Sequence, residues 1–234
     1  MRAQLGGLKD RGVRFVSLGE MVATLRAGEP LLDGCVAVTF DDIYENNFAN
    51  AVPILSELEI PATFFVATAY IGSDEPFPFD GWAKTRRDGI DRHAWLPISK
   101  NSLATLSKMS PMSLGSHTHT HQDFRGRDAD FERDLQTSLE ALRAYEVEKP
   151  ALAFPAGRQR LGYISEGMIS AAQRMGITCA VTTDGSSPFC SHDEFLIGRF
   201  NVFDWDTPAT LMGKLGGWYD WAPRLQESLA SLIR

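Results

Sequence analysis

Apolar residues fall along this chain in two kinds of run. Short, nearly continuous stretches rich in Val, Ile, Phe, Ala and Cys lie at residues 14–17, 35–40, 62–67, 113–116, 151–154 and 178–182, with a weaker one at 195–202. Several lack polar alternation, which predicts strands buried on both faces of a parallel sheet. Helical patterns lie between them. Residues 18–26 have Ser17 as N-cap and Gly28 just past the end. Residues 50–58 carry Pro53 near the first turn. Residues 129–147 place Phe131, Leu135, Leu139 and Leu142 on one stripe, with Asp128 to cap it and Pro150 to block its continuation. Residues 165–175 stop at Gly176, immediately before the next strand. Repeated strand–helix alternation predicts a parallel α/β fold, either a barrel or an open doubly wound sheet.

Residues 72–100 break this rhythm. They are rich in Asp, Arg, Pro and aromatics (Phe77, Phe79, Trp82, Trp95) and have no period, which predicts an ordered lip inserted into one domain spanning residues 1–234. No linker, repeat or low-complexity stretch divides the chain.

Composition narrows the function. The chain is 44% hydrophobic and 23% charged, as in ordinary globular proteins. A net charge of -7 argues against nucleic acid as the main partner. The three Cys (Cys35, Cys179, Cys190) are odd in number and far apart, so they read as reduced thiols. The N-terminus lacks the apolar core of a signal peptide, and no run of about 18 apolar residues exists to span a membrane. The expectation from the chain as written is a cytoplasmic protein. Nothing in the sequence sets its oligomeric state.

Candidate chemistry sits at two strand ends, where barrels and open α/β sheets place their sites. Thr39-Phe40-Asp41-Asp42 ends one apolar run, and His117-Thr118-His119-Thr120-His121 follows another. Carboxylate and imidazole are ligands for a divalent metal. One Asp and two His would leave an open position, and the second Asp could act as base on a water. Spaced by four, His117 and His121 reach one ion if the segment turns. His119 then reads as structural, or as a hydrogen-bond partner within the site. The stretch Ala153-Phe154-Pro155-Ala156-Gly157 is either a strand stop or a turn presenting a backbone N–H to an oxyanion. Arg199 forms either a surface ion pair or a partner orienting a catalytic Asp. Trp82, Trp95 and Trp205 either line a sugar groove or belong to the core.

These residues make the chain resemble the polysaccharide deacetylase family, the NodB-homology carbohydrate esterases, over nearly its whole length. Thr39-Phe40-Asp41-Asp42 matches the first family motif, His117-Thr118-His119-Thr120-His121 the second, and Phe154-Pro155-Ala156-Gly157 resembles the third. The segments Ile60-Pro61-Ala62-Thr63-Phe64-Phe65-Val66 and Leu196-Ile197-Gly198-Arg199-Phe200-Asn201-Val202 are similar to family strands.

The resemblance implies a distorted (β/α) barrel, often seven-stranded, that hydrolyses N-acetyl or O-acetyl groups on a polysaccharide or oligosaccharide. It maps the metal ligands onto Asp42, His117 and His121, the base onto Asp41 and the oxyanion N–H onto Ala156. Zn²⁺ suits those ligands, and Co²⁺, Ni²⁺, Mn²⁺ and Fe²⁺ fit them too.

Three departures carry expectations. Ile43 stands where most relatives have Gly, and its β-branched side chain is expected to resist a positive φ and crowd the metal. The third motif lacks the usual Arg, for which Arg199 is the substitute. No His follows His192 to serve as the late general acid, so either an upstream segment is missing from the barrel or the chain lacks that acid. Two rivals follow: a carbohydrate-binding relative with impaired turnover, and a hydrolase of small non-sugar amides.

Overall fold

In the computed structural model, which describes residues 1–27, 34–81, 89–185 and 193–218, the continuous apolar runs become parallel strands. β1 (Arg14–Phe15) pairs with β2 (Cys35–Val36). β3 (Val38–Phe40), β4 (Ala62–Val66), β5 (Met112–Ser116), β6 (Leu152–Ala153) and β7 (Ala180–Val181) form one five-stranded sheet in sequence order. Ile197 extends it through a single parallel bridge to Val181. This is the distorted barrel architecture expected from the sequence. The run at 35–40 divides at Ala37 between the two sheets. The run at 195–202 contributes only that bridge, because its outer half is exposed at Asn201 and Val202 and buries little against the sheet.

The helices pack where their apolar stripes direct them. α1 (Arg2–Lys9) precedes the first strand, and α2 (Leu18–Arg26) starts on a complete capping box. The Ser17 hydroxyl accepts from the Glu20 N–H, and the Ser17 N–H donates to the Glu20 carboxylate at 2.8 Å. Gly28, the expected stop after α2, lies outside the described residues. A π-helical turn at Asn47–Ala51 leads into α3 (Val52–Glu57). α4 (Lys100–Leu106) is capped by Ser99. α5 (Asp128–Arg143) buries Phe131, Leu135, Leu139 and Leu142 as the periodicity required. It ends at Arg143, short of the expected 147. Glu146 turns left-handed (φ 63), and the Val147 N–H folds back to the Leu142 carbonyl. α6 (Glu166–Arg174) stops before Gly176 (φ 81), and α7 (Pro208–Leu215) closes the described chain against α1.

All five residues of β4 are buried. Alternation sends Phe64 into the cluster with Ile43, Leu55 and Leu103, and Phe65 into the one with Ala153, Val181 and Ile197. A third cluster joins α5 and α6 to β6 through Leu135, Met168 and Leu152. The sheet is thus held on both faces, and its carboxyl end is left for the site. The inserted lip is fastened near that end. Glu45 N–H donates to Leu96 O and Ile98 N–H donates to Ile43 O, at 2.9 and 3.0 Å. Cys35 and Cys179 are free thiols, and burial pushes the Cys179 thiol up to about 11. Cys190 lies outside the described residues. Among the described residues no helix is long and apolar enough to cross a membrane.

Candidate functional site

Strained backbone concentrates where the strands end. Asp42 and Ile43 (φ 66 and 62) follow β3, Thr118 and His121 (φ 63 and 54) follow β5, and Ala156 (φ 57) follows β6. Left-handed non-glycine residues persist only where the surroundings over-determine them, and they gather at functional sites. The turns after β3 and β5 bring Asp42, His117 and His121 together at the end of the sheet.

Ile43 corrects an expectation. It adopts the positive φ and does not crowd the site, because its side chain is fully buried among Val52, Leu55 and Ile98. Burying an Ile side chain is worth roughly 1.5–3 kcal/mol. A left-handed β-branched residue costs about 1–2 kcal/mol. Packing therefore offsets the strain, and Ile43 N–H donating to the Asp41 carbonyl at 2.8 Å tightens the turn.

The turn brings Asp42 Oδ1 to 3.5 Å from His117 Nε2 and 3.4 Å from His121 Nε2. The three candidate donor atoms of Asp42, His117 and His121 lie within 4.8 Å of one another. Two ligands about 2.0–2.2 Å from a tetrahedral ion sit roughly 3.4 Å apart, so the spacing suits a small divalent metal. Two further observations fit. Asp42 Oδ1 is buried with no hydrogen-bond partner among the described residues, a costly arrangement unless a cation completes it. His117 Nδ1 lies 2.7 Å from the Ala153 carbonyl, which fixes its tautomer and leaves Nε2 to point at Asp42.

The titrations follow from burial. Burial pushes Asp42 up to about 6, with the charges of Asp41 and Asp80 adding to it against the pull of His117. Burial, and then His117, push His121 down to about 3. Asp41 goes the other way. Burial opposes ionisation, but His117 and the Arg199 guanidinium overcome it and hold the carboxyl below its usual range. The Arg199 fork donates from Nη1 and Nη2 to the two Asp41 oxygens, both at 2.7 Å. Two more of its donors go to Thr39 Oγ1 and the Thr182 carbonyl, both at 3.0 Å. Asp41 Oδ2 stands 4.0 Å from His117 Nε2. A charged carboxylate is thus locked beside the Asp–His–His cluster.

The other expected residues are scattered. Ala156 is exposed on the turn after β6, and its N–H donates to no acceptor among the described residues. Gly157 beside it must be glycine, since a Cβ would meet the Phe154 carbonyl at 2.9 Å and the Thr183 nitrogen at 3.0 Å. Trp95 takes the core alternative. It is 7% exposed, so no open ring face remains for a sugar. Trp205 is 73% exposed and stacks on Phe203 at 4.6 Å. A cavity of about 650 Å³ carries both Phe203 and the Asp41–Arg199 pair in its walls. Trp82 and His192 lie outside the described residues.

Two residues escaped the sequence reading. Asp134, on α5, accepts the His119 N–H at 2.6 Å and the Thr120 N–H at 3.2 Å, and it also accepts the Thr120 hydroxyl. It pins the loop that carries the histidines, while His119 itself turns away to Thr68 at 2.9 Å. Phe79 stacks on His121. Asp134 interrupts an apolar helix stripe between Phe131 and Leu135, which is a weak signal. Phe79 gave none beyond its aromatic neighbourhood.

The polysaccharide deacetylase family model matches residues 28–180. The poly-beta-1,6-N-acetyl-D-glucosamine N-deacetylase of Staphylococcus epidermidis is 26% identical over 211 residues, covering 86% of this chain and 65% of that protein. The chain therefore spans just under two thirds of that relative's length. The Streptococcus pyogenes deacetylase PplD, solved with acetate, superposes with a TM-score of 0.72 at 21% identity, over 92% of this chain and 84% of that one. IcaB from Ammonifex degensii gives a TM-score of 0.72 at 21% identity, over 92% and 87% of the two chains.

Proposed function

The chain belongs to the polysaccharide deacetylase family, and on that premise we propose that it is a metal-dependent hydrolase removing N-acetyl groups from a polysaccharide. The observation that carries this reading is the charged Asp41–Arg199 pair set against the Asp42–His117–His121 cluster, whose buried Asp42 Oδ1 lacks a partner. Asp42, His117 and His121 would hold a divalent ion, with Zn²⁺ suiting the donor set. Once bound, that ion supplies Lewis acidity toward the acyl oxygen and the attacking water.

The protein's own groups do the rest. Asp41 accepts the proton of the attacking water as the base, and Arg199 keeps it ionised and aimed. Ala156 N–H, on its glycine-dependent turn, donates to the oxygen that becomes negative in the tetrahedral intermediate. That intermediate collapses to acetate and the free amine as the proton Asp41 took from the water passes to the leaving nitrogen. The exposed Phe203–Trp205 stack offers an apolar face for a sugar ring, near the wall of the cavity that holds Asp41.

The curated relative acts on poly-β-1,6-N-acetyl-D-glucosamine, so that polymer is the first substrate to test. Zn²⁺-loaded protein is expected to release acetate from it, and chelator-treated protein is expected not to. Metal binding without acetate release from this polymer, from N-acetylglucosamine oligomers or from O-acetylated glycans would overturn the hydrolase reading and leave a binding protein.

A further inference from the structure

The two histidines of the cluster are oriented by different means. His117 Nδ1 is tied to the Ala153 carbonyl. His121 Nδ1 is buried and has no hydrogen-bond partner among the described residues. A metal-binding imidazole nearly always has its second nitrogen held by a hydrogen bond, which fixes the ring plane. His121 has a stacked ring instead. Phe79 lies over it with centroids 3.9 Å apart and planes 26° from parallel, while His117 meets it edge-on at 4.6 Å.

Phe79 is itself well placed to be rigid. It belongs to Pro76-Phe77-Pro78-Phe79, where each Pro fixes its own φ and restricts the residue before it. The segment closes in a turn, with the Asp80 N–H donating to the Phe77 carbonyl at 3.0 Å. Across that turn Phe77 and Phe79 stack at 5.0 Å and 26°. Phe77 is the anchor, 1% exposed and edge-on to both Tyr44 (4.9 Å) and Tyr70 (5.4 Å). The strap is tied down at both ends of the site. Tyr44 follows the Asp pair and donates its hydroxyl to Asp80 at 2.8 Å. Tyr70 donates its hydroxyl to the carbonyl of Thr120, the residue before His121, at 3.0 Å.

We propose that Phe79 is a positioning residue for the metal, holding the His121 ring by stacking where a hydrogen bond holds His117. The inference rests on the metal-centre reading above and adds to it a role for the inserted lip. The lip fixes a ligand as well as bordering the site. Phe79, 36% exposed, leaves part of its surface toward solvent and part on the imidazole. Without the stack, the His121 ring torsion is broad and roughly two-fold, and its ordering must be supplied by the metal at binding.

The test is metal affinity, which needs no turnover. Zn²⁺ affinity is measured by chelator competition, and the visible spectrum of the Co²⁺ form reports ligand geometry. The variants are Phe79→Ala, Phe79→Leu and Phe79→Tyr, each checked by its metal-free unfolding midpoint. Removing an outer partner of a metal ligand costs about 10–100-fold in affinity. The expected result is a loss of about tenfold for Ala and Leu with an altered Co²⁺ spectrum, and near wild-type behaviour for Tyr, which keeps the ring. If Ala fails to fold, the Leu–Tyr pair still decides. Leu binding as tightly as Phe, with the same spectrum, overturns the inference. Wild-type protein that binds no metal at all would overturn the metal-centre reading beneath it.

Discussion

Replacing Arg199 by Met would remove the only guanidinium that touches Asp41 among the described residues. Both carboxylate oxygens then lose a 2.7 Å charged hydrogen bond at once. Breaking a buried pair by deleting one member costs about 3–5 kcal/mol. Asp41 and Arg199 retain 29% and 15% side-chain exposure, and screening lowers the expected loss to about 2–3 kcal/mol. The kinetic consequence is sharper. Burial favours the neutral acid, and Arg199 with His117 opposes it. Without the guanidinium the carboxyl is less readily ionised, so the acid limb of kcat/KM should move to higher pH.

The stability effect has a definite sign. Because Asp41 is held below its ordinary value of 3.8, the pair's contribution is complete above that value and is lost as pH falls through the folded value. Wild type and variant should therefore differ most near neutral pH and converge in acid. Arg199→Lys keeps the charge but not the two-pronged geometry, and should fall between them. Acetate-release profiles and urea unfolding at several pH values measure all of this. An acid limb that stays in place in Arg199→Met, with an unchanged unfolding midpoint, would refute the assignment of Asp41 as base and Arg199 as its holder.

Two other outcomes are expected. Ile43→Gly relieves a strained φ but empties a fully buried site, so it should lose about 1–3 kcal/mol in urea unfolding while metal affinity is unchanged; a gain in stability would show that strain outweighs packing. Proton competition should make metal affinity flat above about pH 6 and fall roughly tenfold per pH unit below it, because Asp42 titrates at about 6 in the metal-free site. Metal-free stability should vary much less with pH. Asp42's raised value gives stability present below 3.8 and lost as pH rises through about 6, whereas His121's lowered value gives stability present above 6.5 and lost as pH falls through about 3. Isothermal titration from pH 4 to 8 and unfolding of the chelated protein check both.

Local pattern reached far into this molecule, and its failures have physical causes. β4 and α5 were legible because each buries one uninterrupted stretch or stripe. α1 was missed because Gly6-Gly7 argues against a helix. The structure shows why a glycine is there: a Cβ on Gly7 would stand 2.4 Å from Pro208 Cγ of α7, so tertiary contact overrides propensity. The Asp pair and the His triplet could be read because each motif is contiguous. Arg199 was a candidate by its place at a late strand end and by the Arg missing from the third motif, and its contact with Asp41, 158 residues away, is a product of the fold that no local pattern shows. Asp134 and Phe79 act across the fold on a loop they do not adjoin in sequence, and only the place of Asp134 within an apolar helix stripe hints at either. Ile43 was misjudged because a lone sequence shows its strain and hides its burial.

The central claim separates Asp42, which binds the ion, from Asp41, which moves the proton, and one paired measurement tests it. Zinc content and acetate release are determined for wild type, Asp41→Asn and Asp42→Ala. The account predicts one bound zinc and no turnover for Asp41→Asn, and neither zinc nor turnover for Asp42→Ala. An active Asp41→Asn, or an Asp42→Ala that keeps its zinc, would contradict it.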